Sequence, residues 1–229
     1  MRRFGQVEGL GDERSEMISG RARKHSKKGA PDPVISRIRS CASALLMLGV
    51  LIAGGASQCR AESAVAVQTL QGAEVQPLKA HLQRATVFIF TRTDCPISNR
   101  YAPVVKELND EFGPKGVVFW LVYVDPHQSS SEIRQHVKEY GYDLQVALDP
   151  KHKLVKLAAA VVTPEAAVFS SQGQLLYHGR IDNRYVDIGR RLPAPTRKDL
   201  ELALGAVLAG RPVTEATAPA VGCYISDLE

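Results

Sequence analysis

Apolar positions along the 229-residue chain follow two kinds of pattern. Short continuous runs rich in β-formers, TVFIF at 86–90 and VVFWLVYV at 117–124, are those of strands buried on both faces. Between them Tyr101, Val104, Val105, Leu108 and Phe112 recur at helical spacing, and Gly113-Pro114 stops that helix. Asp125-Pro126 ends the second strand. Ser129 with Glu132 then forms a capping-box pattern before a helix carrying Ile133, Val137 and Tyr140, which Gly141 terminates. A short strand at 144–148 and a helix at 153–159 follow. Beyond Thr163-Pro164, AAVFS at 166–170 and LLYHG at 175–179 flank the turn Gln172-Gly173 and read as an antiparallel hairpin. The last helix carries Leu200, Ala203, Leu204, Val207 and Leu208; Thr196 with Asp199 is its expected cap, and Gly210 and Pro212 close it. With weak strand character at 65–69 as a lead-in, the order predicts one α/β sandwich domain over residues 62–210, without internal repeats.

Residues 1–36 break these patterns: polar, rich in Gly, Ser, Arg and Lys, they read as disordered. Arg37 and Arg39 then precede the apolar run 41–53 (CASALLMLGVLIA) and the small residues Gly54-Gly55-Ala56-Ser57. A basic region, an apolar core of this length and a small-residue exit form a secretory signal, so residues 1–61 are read as a leader with a signal peptide or an N-terminal anchor. The expected location is exported, periplasmic or extracytoplasmic, with membrane contact only through an uncleaved 41–53 segment. Residues 1–40 hold ten Lys/Arg against five Asp/Glu, leaving nineteen of each sign in the remainder, so the net charge of +5 belongs to the leader. A globular part without net charge lacks the footprint of phosphate-backbone binding, which argues against a nucleic-acid partner. Of the four Cys, Cys41 reads as apolar filler and Cys59 follows Gln58, a poor context for lipidation. Cys95 and Cys223 remain.

Cys95 lies in TRTDCPISNR (91–100), directly after the first buried strand and at the start of the first helix. Backbone N–H groups and the helix dipole at that position favour an anion, which lowers a cysteine pKa. Pro96 suits the first helical position, where its missing N–H has no partner to lose. Arg92 and Arg100 add positive charge nearby and Asp94 opposes them.

The strand, Cys-Pro at a helix start, Thr163-Pro164 before the hairpin and the terminal helix together resemble the thioredoxin fold, a three-layer α/β sandwich with a central mixed sheet flanked by helices. More narrowly, about residues 65–210 resemble the redoxin, or AhpC/TSA, branch found in exported proteins. The resemblance implies a thiol-dependent oxidoreductase acting on protein or small-molecule thiols and disulfides without a cofactor, with Cys95 as attacking thiolate. It also implies a cis Pro164 beside the sulfur, a Thr163 backbone offered to an extended partner, and a groove shaped by Thr163, Pro164, Pro96, Ser98 and Arg92. Two departures qualify it. Thioredoxins carry a second Cys where this chain has Ser98, so Cys-Pro-Ile-Ser forms a mixed disulfide but does not resolve it within the motif. Typical peroxiredoxins carry Thr or Ser three residues before the reactive Cys and Pro seven before, positions held here by Arg92 and Phe88.

Cys223 stands in AVGCYI (220–225), at the end of a tail, 211–229, that leaves the last helix near Gly210. Thirteen residues reach roughly 40 Å when extended, enough to cross a small domain. The apolar patch in an otherwise polar tail suggests that it docks back, making Cys223 a resolving or disulfide partner for Cys95. A second reading is a copper-handling factor similar to the Sco proteins, with Cys95, Cys223 and His127 or His178 as ligands; that family's motif cysteines lie four apart, and position 99 here is Asn. A third is a redox-inert binding domain. His81, His136 and His152 carry no signal, and neither zinc-ligand spacing nor a phosphate loop is present. Arg180, Asp182 and Arg184, in the Arg/Asp-dense stretch 179–191, form either a surface ion network or the frame of a groove.

Overall fold

The computed structural model describes residues 65–79 and 82–226; the leader with its 41–53 segment, Cys41, Cys59 and His81 lie outside them. Eight strands form one mixed sheet. Its centre is β3 (Ala85–Thr91), every residue of which is buried, hydrogen-bonded in parallel to β4 (Val117–Tyr123) and antiparallel to β7 (Glu165–Ser170). Continuous apolar runs suit this position, since both faces of each strand are covered. β5 (Gln145–Leu148) extends the parallel side, followed by the lead-in strands β1 (Val67–Thr69) and β2 (Glu74–Val75). β8 (Leu175–Gly179) pairs with β7 as the expected hairpin.

Residues alternate between two cores, as the pleat requires. Val87, Ile89, Leu121 and Tyr123 face α1 (Pro96–Phe112), α2 (Ser130–Glu139) and α4 (Asp199–Leu208). Phe88, Phe90, Trp120 and Val122 face α3 (Lys153–Ala158). The chain is therefore a thioredoxin-like three-layer sandwich. The capping box at Ser129 forms in full, with Glu132 returning the bond. The cap of α4 does not follow expectation. Lys198 occupies the N-cap position, Asp199 begins the helix, and Thr196 accepts from the Asn183 side chain. Two arginines explain the change: the Asp199 carboxylate is buried between Arg180 and Arg197, at 2.8 and 2.7 Å, and serves them instead of the helix end.

The start of α3 is held by a carboxylate that directly follows β5. Asp149, 1% exposed, accepts from the backbone N–H of Lys153, Leu154 and Val155 at 2.7–3.0 Å. Asp149→Ala leaves those donors buried without an acceptor and is expected to cost about 2 kcal/mol, read as a shift of the urea midpoint. A change within error would show that α3 is anchored by packing alone.

Three short strand pairings were not foreseen. β6 (Val162–Thr163) pairs antiparallel with β12 (Cys223–Tyr224), β11 (Thr217–Ala218) adds a parallel edge beside β8, and β9 (Tyr185–Asp187) with β10 (Arg190–Arg191) forms a separate hairpin. The first two dock the tail on the domain. Gly179, at φ 143°, is required there because a Cβ would overlap the Ala218 backbone.

Candidate active site

The end of β3 and the first turn of α1 place Cys95 at the helix N-cap, where its φ of −85° and ψ of 107° turn the sulfur back over the open end of the helix. The Ser98 N–H, one of the donors that no earlier carbonyl can satisfy, points at Sγ at 3.5 Å. In the thiol form Cys95 donates to the Thr163 carbonyl at 3.1 Å. The Thr163–Pro164 peptide is cis, as the resemblance implied. Cys223 lies opposite Thr163 in the β6–β12 pair, so the tail brings the second thiol to the first. Both cysteines are free, within hydrogen-bonding reach of each other.

Burial pushes the Cys95 thiol up, but it is outweighed by the Ser98 hydroxyl and N–H, the Thr163 hydroxyl and Cys223, so its pKa falls below the ordinary value. Apart from the Cys95 sulfur, Ser98 Oγ and Thr163 Oγ1 are buried with no hydrogen-bond partner. Buried hydroxyls without partners are rare. These two complement a thiolate, which accepts from both, better than a thiol. Cys223 moves the opposite way: burial, its hydrogen bond to Cys95 and the charge of Cys95 push it up to about 11. One sulfur is set to attack, and the other stays protonated until it is needed.

The remaining residues singled out from the sequence divide. Pro96 is the first residue of α1 and lines a cavity beside Cys223. Arg92 is ion-paired to Asp94 at 3.0 Å and Asp125 at 2.9 Å, and pulls the Cys223 pKa down. His127 is exposed, its backbone N–H donating to Asp125. Among the described residues no group of three His, Cys, Asp or Glu side chains is placed to hold a metal ion. His178 instead meets Glu165 at 3.4 Å and Thr217 of the tail at 3.2 Å. The Thr163 backbone, expected to be open to a partner strand, is taken by the chain's own Cys223.

Sequence reasoning missed His136 and Glu165. His136 is 5% exposed and links Tyr123 to Asn99, whose side-chain amide donates to the Thr93 carbonyl at 3.0 Å. Because the amide nitrogen of Asn99 is so used, its Oδ1 must accept from His136 Nε2–H, and His136 Nδ1 then accepts from the Tyr123 hydroxyl. This network fixes the loop that carries Cys95, with Gln128 bonding Thr93 at 2.8 Å from the other side. Burial lowers the His136 pKa, Glu139 opposing, which keeps the imidazole neutral as the network requires. The available signal was spacing: His136 stands three residues after Ile133 and four before Tyr140, on the buried stripe. Glu165, buried after Pro164, accepts from the N–H groups of Val161 and Val162 and so shapes the turn into β6.

A thioredoxin-like sheet with a thiolate-stabilising helix N-terminus beside a cis proline defines a thiol-based redox protein. The chain belongs to the AhpC/TSA family, whose family model matches residues 61–178, a span that holds Cys95 and ends before Cys223. Among solved structures it is similar to a hypothetical protein from Sinorhizobium meliloti, at 21% identity and TM-score 0.62, covering 72% of this chain and 91% of that one. It is also similar to an uncharacterized conserved protein from Geobacillus kaustophilus, at 26% identity and TM-score 0.61, covering 70% and 86%. A candidate thiol:disulfide interchange protein DsbE from Chlorobium tepidum shares the fold at 18% identity and TM-score 0.51, covering 63% and 92%. No curated protein matches the chain.

Proposed function

We propose that this protein is an extracytoplasmic thiol–disulfide oxidoreductase in which Cys95 attacks and Cys223 resolves. The observation that carries the reading is the pairing of the tail with β6, which sets Cys223 against a Cys95 whose thiolate is stabilised. The Cys95 thiolate attacks one sulfur of a substrate disulfide, forming a mixed disulfide and releasing the other half as a thiolate. Cys223 then gives up its proton and attacks Cys95, expelling the second half and leaving a Cys95–Cys223 disulfide. Two electrons pass from the cysteine pair to the substrate, and two equivalents of an external thiol restore them. The two sulfurs suffice, and the cycle requires no bound cofactor. Because Cys95 is 1% exposed, a substrate larger than a peroxide reaches it when the tail strand lifts from Thr163. The partners are protein or small-molecule thiols and disulfides. The export pattern in residues 37–57 supports the location, since such a disulfide persists in an oxidising compartment.

The test is intact mass and non-reduced peptide mapping of the full chain after exposure to a small-molecule disulfide. The expected product is a single species lighter by two hydrogens, with Cys95 linked to Cys223 and reopened by a thiol reductant. If both thiols stay free, or Cys95 accumulates only as a stable adduct, the two-cysteine cycle is wrong.

A further inference from the structure

The oxidised form must be reduced again, and the two sulfurs differ in how a reductant can reach them. Cys95 is 1% exposed, whereas Cys223 is only half-buried and forms one wall of a cavity of about 390 Å³. That volume lies in the range of small-molecule sites. Its lining joins the apolar side chains of Ile97, Tyr185 and Ile188 to the exposed Arg100 and Arg191. The same two arginines continue into an adjoining recess with Tyr101 and Arg184, and no Asp or Glu lines either space. Among the described residues neither Arg100 nor Arg191 forms an ion pair, in contrast to Arg92, Arg180 and Arg197, each of which has a carboxylate. Arg184 adds a buried Nε without a partner. It also borders a third recess containing Glu107 and Asp182, so Arg100 and Arg191 carry the selectivity.

We infer that this cavity is the entry site of the reducing substrate, a small thiol bearing a carboxylate, which attacks Cys223 while Arg100 and Arg191 hold its anionic end. The inference rests on the two-cysteine cycle proposed above and names its electron donor by class. The donor thiolate attacks Cys223 Sγ, and a donor–Cys223 disulfide forms as the Cys223–Cys95 bond breaks. The electron pair leaves on Cys95 as a thiolate. A second donor thiolate then attacks the donor sulfur, releasing the donor disulfide and Cys223, which takes up a proton. Two thiols are oxidised for each protein disulfide reduced. Leaving-group chemistry supports the same direction as access, because exchange is faster when the departing sulfur is the more acidic one, and that sulfur is Cys95.

The experiment uses the oxidised full chain, its disulfide first verified by mass, and three probes of different charge: 3-mercaptopropionate, 2-mercaptoethanol and cysteamine. Each reduction rate is divided by the same thiol's rate with 4,4′-dithiodipyridine, a neutral disulfide that shares no thiol with the probes, which removes intrinsic nucleophilicity. At low salt the normalised rates are expected to fall in the order anionic, neutral, cationic, with roughly a fivefold to tenfold step from two exposed arginines. High salt should compress the series. In the Arg100→Ala/Arg191→Ala protein the anionic-to-neutral ratio should collapse towards one, and quenched wild-type reactions should carry the donor adduct on Cys223. Equal normalised rates for the three thiols, or an adduct on Cys95, would overturn the inference and leave the cycle standing. Failure to obtain the Cys95–Cys223 disulfide at the first step would instead bring down the cycle, and this inference with it.

Discussion

In the Gly222→Ala protein, oxidant-driven pairing of Cys95 with Cys223 is expected to slow on the order of 100-fold or more, with little loss of domain stability. A Cβ at position 222 would overlap the Thr163 carbonyl, its carbon only 2.6 Å away, and would press on the Pro164 nitrogen at 3.2 Å. Both neighbours are backbone, and the strand they belong to is pinned by Glu165 from behind. The tail must therefore give way. Only its β12 end is displaced, since β11 stays paired with β8, and the hold of that end is modest: a two-residue pairing with β6, the Ile225 N–H to Val161 bond, and the burial of Ile225. Burying Ile225 contributes roughly 2 kcal/mol, while each backbone residue fixed costs about 1–2 kcal/mol. Undocking thus relieves the overlap at small net cost. What it removes is orientation. A docked thiol reacts with the advantage of a fixed near-attack geometry, whereas one on a loose tether has only a local concentration of about millimolar. Timed acid quench and mass analysis gives the rate, and a thermal melt gives the stability. Pairing at the wild-type rate would show that the β6–β12 contact does not set the cycle.

That position was half legible in the sequence. The strands at 86–90 and 117–124 and the stripes of α1, α2 and α4 could be read because periodicity records burial directly, and each was found within a residue or two. Cys95 at a helix N-cap was legible for the same local reason. The β6–β12 pair was not: two residues at 162–163 joined to two at 223–224 leave no period, and their pairing is decided by a fold that has to form first. The tail's return was foreseen from its apolar patch, yet Thr163 was expected to stay open to a partner. Thr196 failed as a cap because Asp199 was drawn to Arg180 and Arg197, a tertiary contact that capping rules do not contain. Ser98 looked like a missing cysteine. In three dimensions its hydroxyl and N–H are among the groups that lower the Cys95 pKa, with the Thr163 hydroxyl beside them. The departures at Arg92 and Phe88 follow: Phe88 fills the α3-side core and Arg92 is spent on Asp94 and Asp125, so thiolate stabilisation comes from Ser98 and Thr163 instead.

Cys95→Ser tests this division of labour between the sulfurs, and its expected outcome is a protein that no longer forms an internal disulfide but whose remaining thiol is more reactive. Cys223 sits at about 11 through burial first, then through its hydrogen bond to Cys95 and the charge there. The serine hydroxyl stays neutral at every accessible pH, so the charge is gone, while the burial remains. The Cys223 pKa should therefore fall from about 11 towards, but not fully to, 9. Only the thiolate is a nucleophile, and each unit of pKa changes its fraction about tenfold below the pKa. Alkylation of Cys223 by iodoacetamide at pH 8 should accordingly rise by roughly tenfold over the wild type, with its pH midpoint shifted downward. In Cys223→Ser the counterpart holds: Cys95 keeps Ser98 and Thr163 as donors, so its pKa stays below the ordinary value and it accumulates as a mixed disulfide that nothing resolves. A Cys223 midpoint unchanged by Cys95→Ser would mean that the two thiols do not interact, and the stabilised thiolate would then serve a single-cysteine chemistry.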